Sequence, residues 1–459
     1  MEKIKRKFEN VKMPHTYVIL MSILIIVSIL TYIIPSGQYT RVEDEVLRRT
    51  VVVPNSFEFV EGKSPNLFDI FLAIQKGYVS SANILFLIIF AYSFVNILVV
   101  NGTLNTYINA LIKRLDGNNN LLIVICVFVF GILGSTLGIF EEVYGLIPVF
   151  IQLFILLGYD RIVGGSIVFL GVATGFSAAT TNPFSIGIAK ELSGLPVNVG
   201  IWYRIVVFII FQATAALYII KYANKIYSNP ELSLFKEDFN ESKIEESLEP
   251  TKRHFLSLIS FIITIVVLLC GTAFWDWYID EIAAWFLMMA VIAGAISGWS
   301  ANKICKEVIL STKDVISSVL VVGFTRGIII IMNEALISDT VVYYLSTLLN
   351  NSHKIISANI MLFIQNVINF FVTGSSSQAT LTLPIMLPVS DLIGLNREIA
   401  IIAYIFGDGF SDIFWPTACI LQCGLMGIPI DTWYKFVSPL FLIMTILQIV
   451  LISIAVYIF

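Results

Sequence analysis

Four carboxyl side chains stand in stretches that are otherwise nearly pure hydrocarbon: Glu141 and Glu142 in GSTLGIFEEVYGLIPVF, and Asp408 and Asp412 in FGDGFSDIFWP. An acid at the centre of a bilayer costs about 2.5 to 3.5 kcal/mol on insertion scales, so intramembrane acids serve pathways, ions or partners. The bland alternative is that some mark segment ends in interfacial water. Hydroxyl and amide groups gather at the same places. Ser177, Thr180, Thr181, Asn182 and Ser185 surround Pro183 in one half, and Ser375, Ser376, Ser377, Gln378 and Thr417 lie in the other. With free helix-end N–H groups such side chains grip a carboxylate, while unwound carbonyls hold Na+. Otherwise they only let helices approach and bond one another, although in TTNPFS polarity coincides with a helix-breaking proline. Arg326, inside VVGFTRGIIIIMNEALISD, suits either a substrate carboxylate or a fixed pairing with an intramembrane acid. Asn333, about two helical turns on, shares its face more closely than Glu334 does.

The elements carrying these groups occur twice. Pro148, Gly158 and Arg161 recur as Pro384, Gly394 and Arg397, each 236 residues on. With small slips, Gly175-Phe176-Ser177 returns as Gly409-Phe410-Ser411, Pro183 as Pro416, and Trp202-Tyr203-Arg204 as Trp433-Tyr434-Lys435. Paired apolar segments broken by Gly and Pro, at matching places in two halves, point to the binding site of a secondary transporter. Backbone unwound at membrane depth must be buried in protein or line a watery cavity. The breaks are accordingly expected at Asn182, Pro183, Gly407 and Pro416, facing one cavity.

Composition sets the class. The chain has 459 residues, 57% hydrophobic and 13% charged, with mean hydropathy +0.88, the profile of a polytopic all-α membrane protein. Nothing suggests a nucleic-acid partner. The five cysteines are scattered without a CxxC pair, and His15, His254 and His353 stand at segment ends, so no metal site and no cofactor are expected beyond Na+ or H+ as a coupling ion.

Five basic residues in MEKIKRKFENVKMPH precede the apolar run 17–34 and favour a cytoplasmic N-terminus. The chain divides into this segment and first span (1–35), a polar extracytoplasmic loop (36–66), a first repeat (67–223), a charged surface linker (224–253), connecting spans (254–301) and a second repeat (302–459). Further spans are legible near 82–101, 120–137, 161–180, 202–221, 255–275, 282–300, 316–337, 355–372, 396–415 and 436–458. Segments 138–157 and 375–393 read as re-entrant hairpins. Counting crossings makes the halves parallel, whereas placing the basic loops inside and Asp276, Asp280 and Glu281 outside makes them inverted; charge asymmetry is the stronger guide. Arg161 and Arg397 read as interfacial anchors, and Trp202-Tyr203 and Trp433-Tyr434 as aromatic-belt positions.

The opening PHTYVILMSILIIVSILTYIIPSGQY, with EEVYGLIPVFIQLFILLGYDRIVG, GFSAATTNPFSIGIAK, GSSSQATLTLPIMLPVSDLIG and GDGFSDIFWPT, resembles the C4-dicarboxylate anaerobic carrier family across essentially the whole chain. It is most similar to the YfcC-like branch, whose members are described as basic amino-acid antiporters. The resemblance implies the wider ion transporter superfamily, with inverted repeats that each hold a hairpin and a broken helix, elevator-like motion and a homodimer.

The expected function is therefore secondary active transport, ion-coupled or by exchange, of a small carboxylate-bearing solute across the plasma membrane. There is no GxxxxGK[ST] loop for nucleotide-driven pumping; a membrane-embedded enzyme is a remote alternative, with no HExxH and the histidines at segment ends, although two nearby aspartates could mimic an intramembrane aspartyl protease. A passive channel is a third class, disfavoured by the duplicated breaks. Four pathway acids against one arginine lean toward a basic amino acid; a C4-dicarboxylate fits if Na+ or H+ neutralises the acids.

Overall fold

The computed structural model describes residues 16–44, 49–53, 55–104, 106–107, 119–196, 198–236, 238, 250–275, 277–347 and 353–459. The basic stretch 1–15, most of the charged linker (237 and 239–249), Val197 and Asp276 lie outside the described residues.

The described chain is built from helices: α1 Thr16–Leu30, α2 Leu67–Ser80, α3 Ala82–Val100, α4 Asn119–Ile132, α5 Ile147–Leu156, α6 Arg161–Ser177, α7 Ile188–Ser193, α8 Ile201–Ser228, α9 Lys252–Phe274, α10 Ile279–Ile296, α11 Ala301–Val319, α12 Val321–Glu334, α13 Ser338–Thr347, α14 Lys354–Phe371, α15 Ser375–Leu392, α16 Arg397–Ser411, α17 Pro416–Met426 and α18 Ile430–Ile458. Six are long and apolar enough to cross a membrane, or up to eight if the bent pairs α11/α12 (48°) and α16/α17 (40°) each count as one span. The polar loop after α1 carries two short antiparallel ribbons, β1 (Gly37–Gln38) with β4 (Glu58–Phe59) and β2 (Arg41–Asp44) with β3 (Arg49–Val52). Neither these ribbons nor α2 was legible in the sequence; α2 opens on a capping box in which Asn66 accepts from Phe68 N and Asp69 N while Asp69 accepts from Asn66 N.

At the centre, α6 and α16 pack against each other, and every residue from Ile162 to Ser177 and from Glu398 to Ser411 is buried. Ile162–Ser177 and Ile399–Gly407 carry no charged side chain on any face, and a helix without a polar stripe belongs inside. Close approach comes from small residues, since lipid tails give helix association no hydrophobic push. A Cβ on Gly175 would lie 2.6 Å from Gly131 Cα on α4, and one on Gly409 would lie 2.5 Å from the Ser177 amide on α6. Around this pair stand α4, α5 and α8 from the first half and α14, α15 and α18 from the second, while α1–α3 and α10–α12 pack among themselves alongside.

The element order repeats. Helix α4 breaks at 138–140 before a 3-10 turn (Glu141–Leu146) and α5; α6 breaks at 178–182 before a π turn (Pro183–Gly187) and α7; α8 follows. In the second half α14 breaks at 372–374 before α15, α16 breaks at 412–415 before α17, and α18 follows.

Several expectations are corrected. Segment 375–393 is not a hairpin in itself but one continuous helix, α15, with Pro384 and Pro388 inside it; likewise 138–157 turns only at its start. Each is one arm of a helix pair whose other arm, α4 or α14, reads as an ordinary span. Gly407 is helical, because α16 runs unbroken to Ser411 and unwinds four residues before Pro416, as a proline disfavours helix in the residue before it. Trp433 is no belt residue: it is fully buried and its indole N–H donates to Ile413 O at 2.8 Å. The linker also carries structure, for Asp238 is fully buried against Arg161, Oδ1 to Nη2 2.6 Å, and Ser233 donates to Asp160 at 2.6 Å.

Candidate functional site

Where the α6/α16 body meets α2, α3, α10 and α12 there is a cavity of about 350 Å3. Its walls include the first break (Gly138, Phe140, Glu141, Glu142), the second-half break and the start of α15 (Thr373, Gly374, Ser375, Ser376, Ser377), Asp412, and Arg326 from α12. Three of the four singled-out acids therefore face one space together with the singled-out arginine. Phe140, Phe176, Phe184 and Tyr278 add aromatic surface to the lining. Arg326 and Thr373 also line two adjoining cavities: one of about 360 Å3 running past Asn333 toward Arg41 and Asp339, and a narrow one of about 80 Å3 reaching Tyr144, Thr417 and Gln422.

Local structure explains the open groups. Gly138 takes φ +71°, a left-handed conformation that ends the π turn (Leu133–Leu137) after α4 and turns the chain into the Glu141-Glu142 segment. Glu142 accepts from Phe140 N at 2.9 Å. Helices α15 and α17 begin without a side-chain cap, on Gly374 and Trp415, so their first-turn N–H groups keep the anion-binding character of a helix start. Ser375–Ser377 and Thr417, which line the cavities, belong to those first turns. Arg326 has no ion pair among the described residues, while Glu334 turns to a different face and pairs with Lys76 at 2.5 Å.

The hydroxyls of the first half are placed differently. The Asn182 side chain caps its own helix, accepting from Phe184 N at 2.8 Å and Ser185 N at 3.3 Å, and donates to Gly134 O at 3.1 Å. Thr180 is bonded to Ser135, Oγ to Oγ1 3.1 Å; Thr181 donates to Thr136 O; Ser177 donates to Phe406 O. None of Ser177, Thr180, Thr181, Asn182 and Pro183 lines the cavity. Gln378 is buried against Gln365, its amide donating at 2.9 Å. Asp408 lies behind the wall, one turn below Asp412.

Several site residues escaped sequence reasoning. Thr373, Ser80, Asn83 and Tyr278 line the cavity, and Asn369 binds Asp408 O at 2.8 Å and Asp412 Oδ1 at 2.9 Å. An Asn inside the apolar run IQNVINFF was the available signal. At the far end of the narrow cavity Tyr144 and Gln422, from different halves, are bonded at 2.6 Å; with the amide turned so that its nitrogen faces Ala418 O and Cys419 O, the hydroxyl donates to it. Beyond them a separate space of about 370 Å3, reached by the end of the same helix α17, is lined by Asn96, Gln152, Arg161 and Asp314. Among the described residues no group of three or more His, Cys, Asp or Glu side chains is placed to hold a metal ion.

Comparison with known proteins gives this arrangement a context. Escherichia coli (strain K12) YfcC, whose name proposes a basic amino acid antiporter, is 28% identical over 92% of this chain and 92% of its own length. An uncharacterised Haemophilus influenzae protein is also 28% identical, over 98% of each chain. The YdaH transporter of Alcanivorax borkumensis, a solved structure 17% identical and covering 96% of this chain and 98% of that one, superposes with a TM-score of 0.44, too low to support an argument. Residues 13–457 match the family described as C4-dicarboxylate anaerobic carrier, and with nearly its whole length matched the chain belongs to that family of membrane carriers.

Proposed function

We propose that this protein is a secondary active transporter, not an enzyme, that carries a small solute bearing both a cationic group and a carboxylate, a basic amino acid such as arginine or ornithine. One observation carries the reading: Glu141, Glu142 and Asp412 converge with Arg326 and the uncapped start of α15 on a single cavity between two helical bodies. The acids suit an ammonium or guanidinium; Arg326 and the Ser375–Ser377 amides suit a carboxylate, through charge-assisted bonds of about 1.5 to 3 kcal/mol each. Aromatic lining from Phe140, Phe176, Phe184 and Tyr278 lowers the local polarity around these groups, which strengthens charge interactions.

A C4-dicarboxylate is the second reading, favoured by the same Arg326 and by the uncapped starts of both α15 and α17, which offer two anion-binding ends. It requires cations to neutralise the three acids. The duplicated element order supports two repeats, the charge asymmetry of the loops favours their being inverted, and the basic start supports a membrane protein with a cytoplasmic N-terminus; a plasma-membrane homodimer is the assembly we propose. Counterflow in proteoliposomes tests the function: labelled arginine or ornithine should exchange and saturate. Exchange of succinate or fumarate alone would establish the second reading, and unsaturable flux would establish a channel.

A further inference from the structure

One carboxylate near the second break is not reached by the cavity. Asp408 is 2% exposed and its Oδ2 has no hydrogen-bond partner. On its own helix Asp412 follows one turn later, at the cavity wall, and Tyr404 precedes it by one turn. The Tyr404 hydroxyl donates to Ser375 O at 2.8 Å and lies 2.6 Å from Ser375 Oγ, so this stripe touches the cavity lining at two levels. Asn369 Nδ2 ties Asp408 O to Asp412 Oδ1.

We propose that Asp408 is a proton-binding site loaded from the cavity through Asp412, so that the carrier couples solute movement to protons. The inference rests on the carrier reading above. No cation faces Asp408 from the elements packed on α16. Over Ile162–Ser177, α6 has no ionisable side chain, and α14 has only Lys354 at its far end. On α15 the sole acid, Asp391, is bonded to Arg397 at the other end; on α7, Lys190 is taken by Glu398; on α18, Lys435 pairs with Asp431. Asp412 itself, and Glu141, Glu142 and Arg326 across the cavity, complete the charged surroundings. An uncompensated buried charge is costly enough that such a group takes up a cation. The carbonyl one residue before Asp408, Gly407 O, is already taken by Ser411 Oγ at 2.6 Å, and Asp408 O by Asn369 Nδ2 at 2.8 Å. A proton needs one lone pair. Hydronium in the cavity gives its proton to an ionised Asp412 oxygen and is left as water; the Asp412 O–H bond then breaks as one forms on ionised Asp408, and the reverse transfers return the proton to water as hydronium.

The test is infrared spectroscopy of the full chain in liposomes, with aspartate labelled with 13C at the side-chain carboxyl. At pH 7 in choline chloride the parent should show a labelled carboxylic-acid C=O band that Asp408→Asn lacks, Asp408→Glu retains as an unlabelled acid band, and NaCl leaves unchanged. A parent with only ionised aspartate at pH 7, or an acid band abolished by NaCl, overturns the proposal, and neither observation depends on the variants folding. In proteoliposomes, labelled arginine accumulation driven by a pH gradient without Na+ should fall about tenfold or more in Asp408→Asn; an undiminished response to the gradient would also overturn it. If the parent carries no arginine at all, the carrier reading fails on its substrate while the infrared result still decides the proton site.

Discussion

Arg204 and Glu398 meet at 2.6 Å, Nη1 to Oε1, with 1% and 0% of their side chains exposed, although they belong to opposite halves of the chain. Lys190 takes the other carboxylate oxygen, and Val199 O accepts from both cations, at 2.9 Å from Arg204 and 3.0 Å from Lys190. The cluster joins the loop after α7, the start of α8 and the start of α16 into one unit. Glu398→Gln should destabilise the protein by about 3 to 5 kcal/mol, because two buried cations lose their counter-charge. Lys435→Ala, which removes an exposed pair with Asp431, should cost less than about 1 kcal/mol. Thermal unfolding in detergent, with both variants side by side, checks the contrast; equal losses would refute it.

The acids of the cavity should be unequal. In the 3-10 turn that carries them, adjacent residues differ by about 120° in direction, and Glu142 is already held by Phe140 N whereas the Glu141 side chain accepts no hydrogen bond among the described residues and lines both the wide and the narrow space. Glu141→Gln and Asp412→Asn should each lower the transport rate about tenfold or more, with protein level and folding little changed. Transport at the parent rate in both variants would remove them from the site.

Arg326→Ala should raise the solute KM about tenfold to a hundredfold, the loss of one charge-assisted interaction with a carboxylate. Because Arg326 forms no ion pair among the described residues and its neighbouring acids line a cavity, stability should stay within about 1 kcal/mol of the parent. A large drop in melting temperature with unchanged KM would mark it as structural instead.

Gly409→Ala should disrupt the central helix crossing, since the new methyl would sit 2.5 Å from a Ser177 backbone atom that belongs to a fully buried helix. The expected loss is about 1 to 3 kcal/mol or more. Gly187→Ala meets nothing nearer than 3.6 Å and should be tolerated. Comparing the yield of folded protein for the two variants, by size-exclusion profile and thermal unfolding, tests this directly.

The amino-acid sequence by itself determined the class and the places of interest. Apolar runs long enough to span, interrupted twice at matching positions, require helices that break inside the membrane region, because proline lacks an N–H and polar backbone must be sheltered there. That reasoning located the breaks near Asn182, Pro183 and Pro416 and singled out Glu141, Glu142, Asp412, Arg326 and Ser375–Ser377, which the fold gathers around one cavity. Tertiary structure decided the rest. Asn182 and Asp412 occupy comparable breaks, yet one turns inward to cap its own helix while the other reaches the cavity wall, and the choice depends on which neighbour offers a partner, Gly134 O in the first case and Asn369 in the second. Lys190, Arg204 and Glu398 read as ordinary charges near segment ends, and only the packing of α7, α8 and α16 buries them together. Trp433 likewise has the composition of an interfacial anchor but finds Ile413 O in the core. Local sequence dictates where backbone must break and where a charge is expensive; which side chain then faces solvent, partner or cavity depends on contacts between residues hundreds of positions apart.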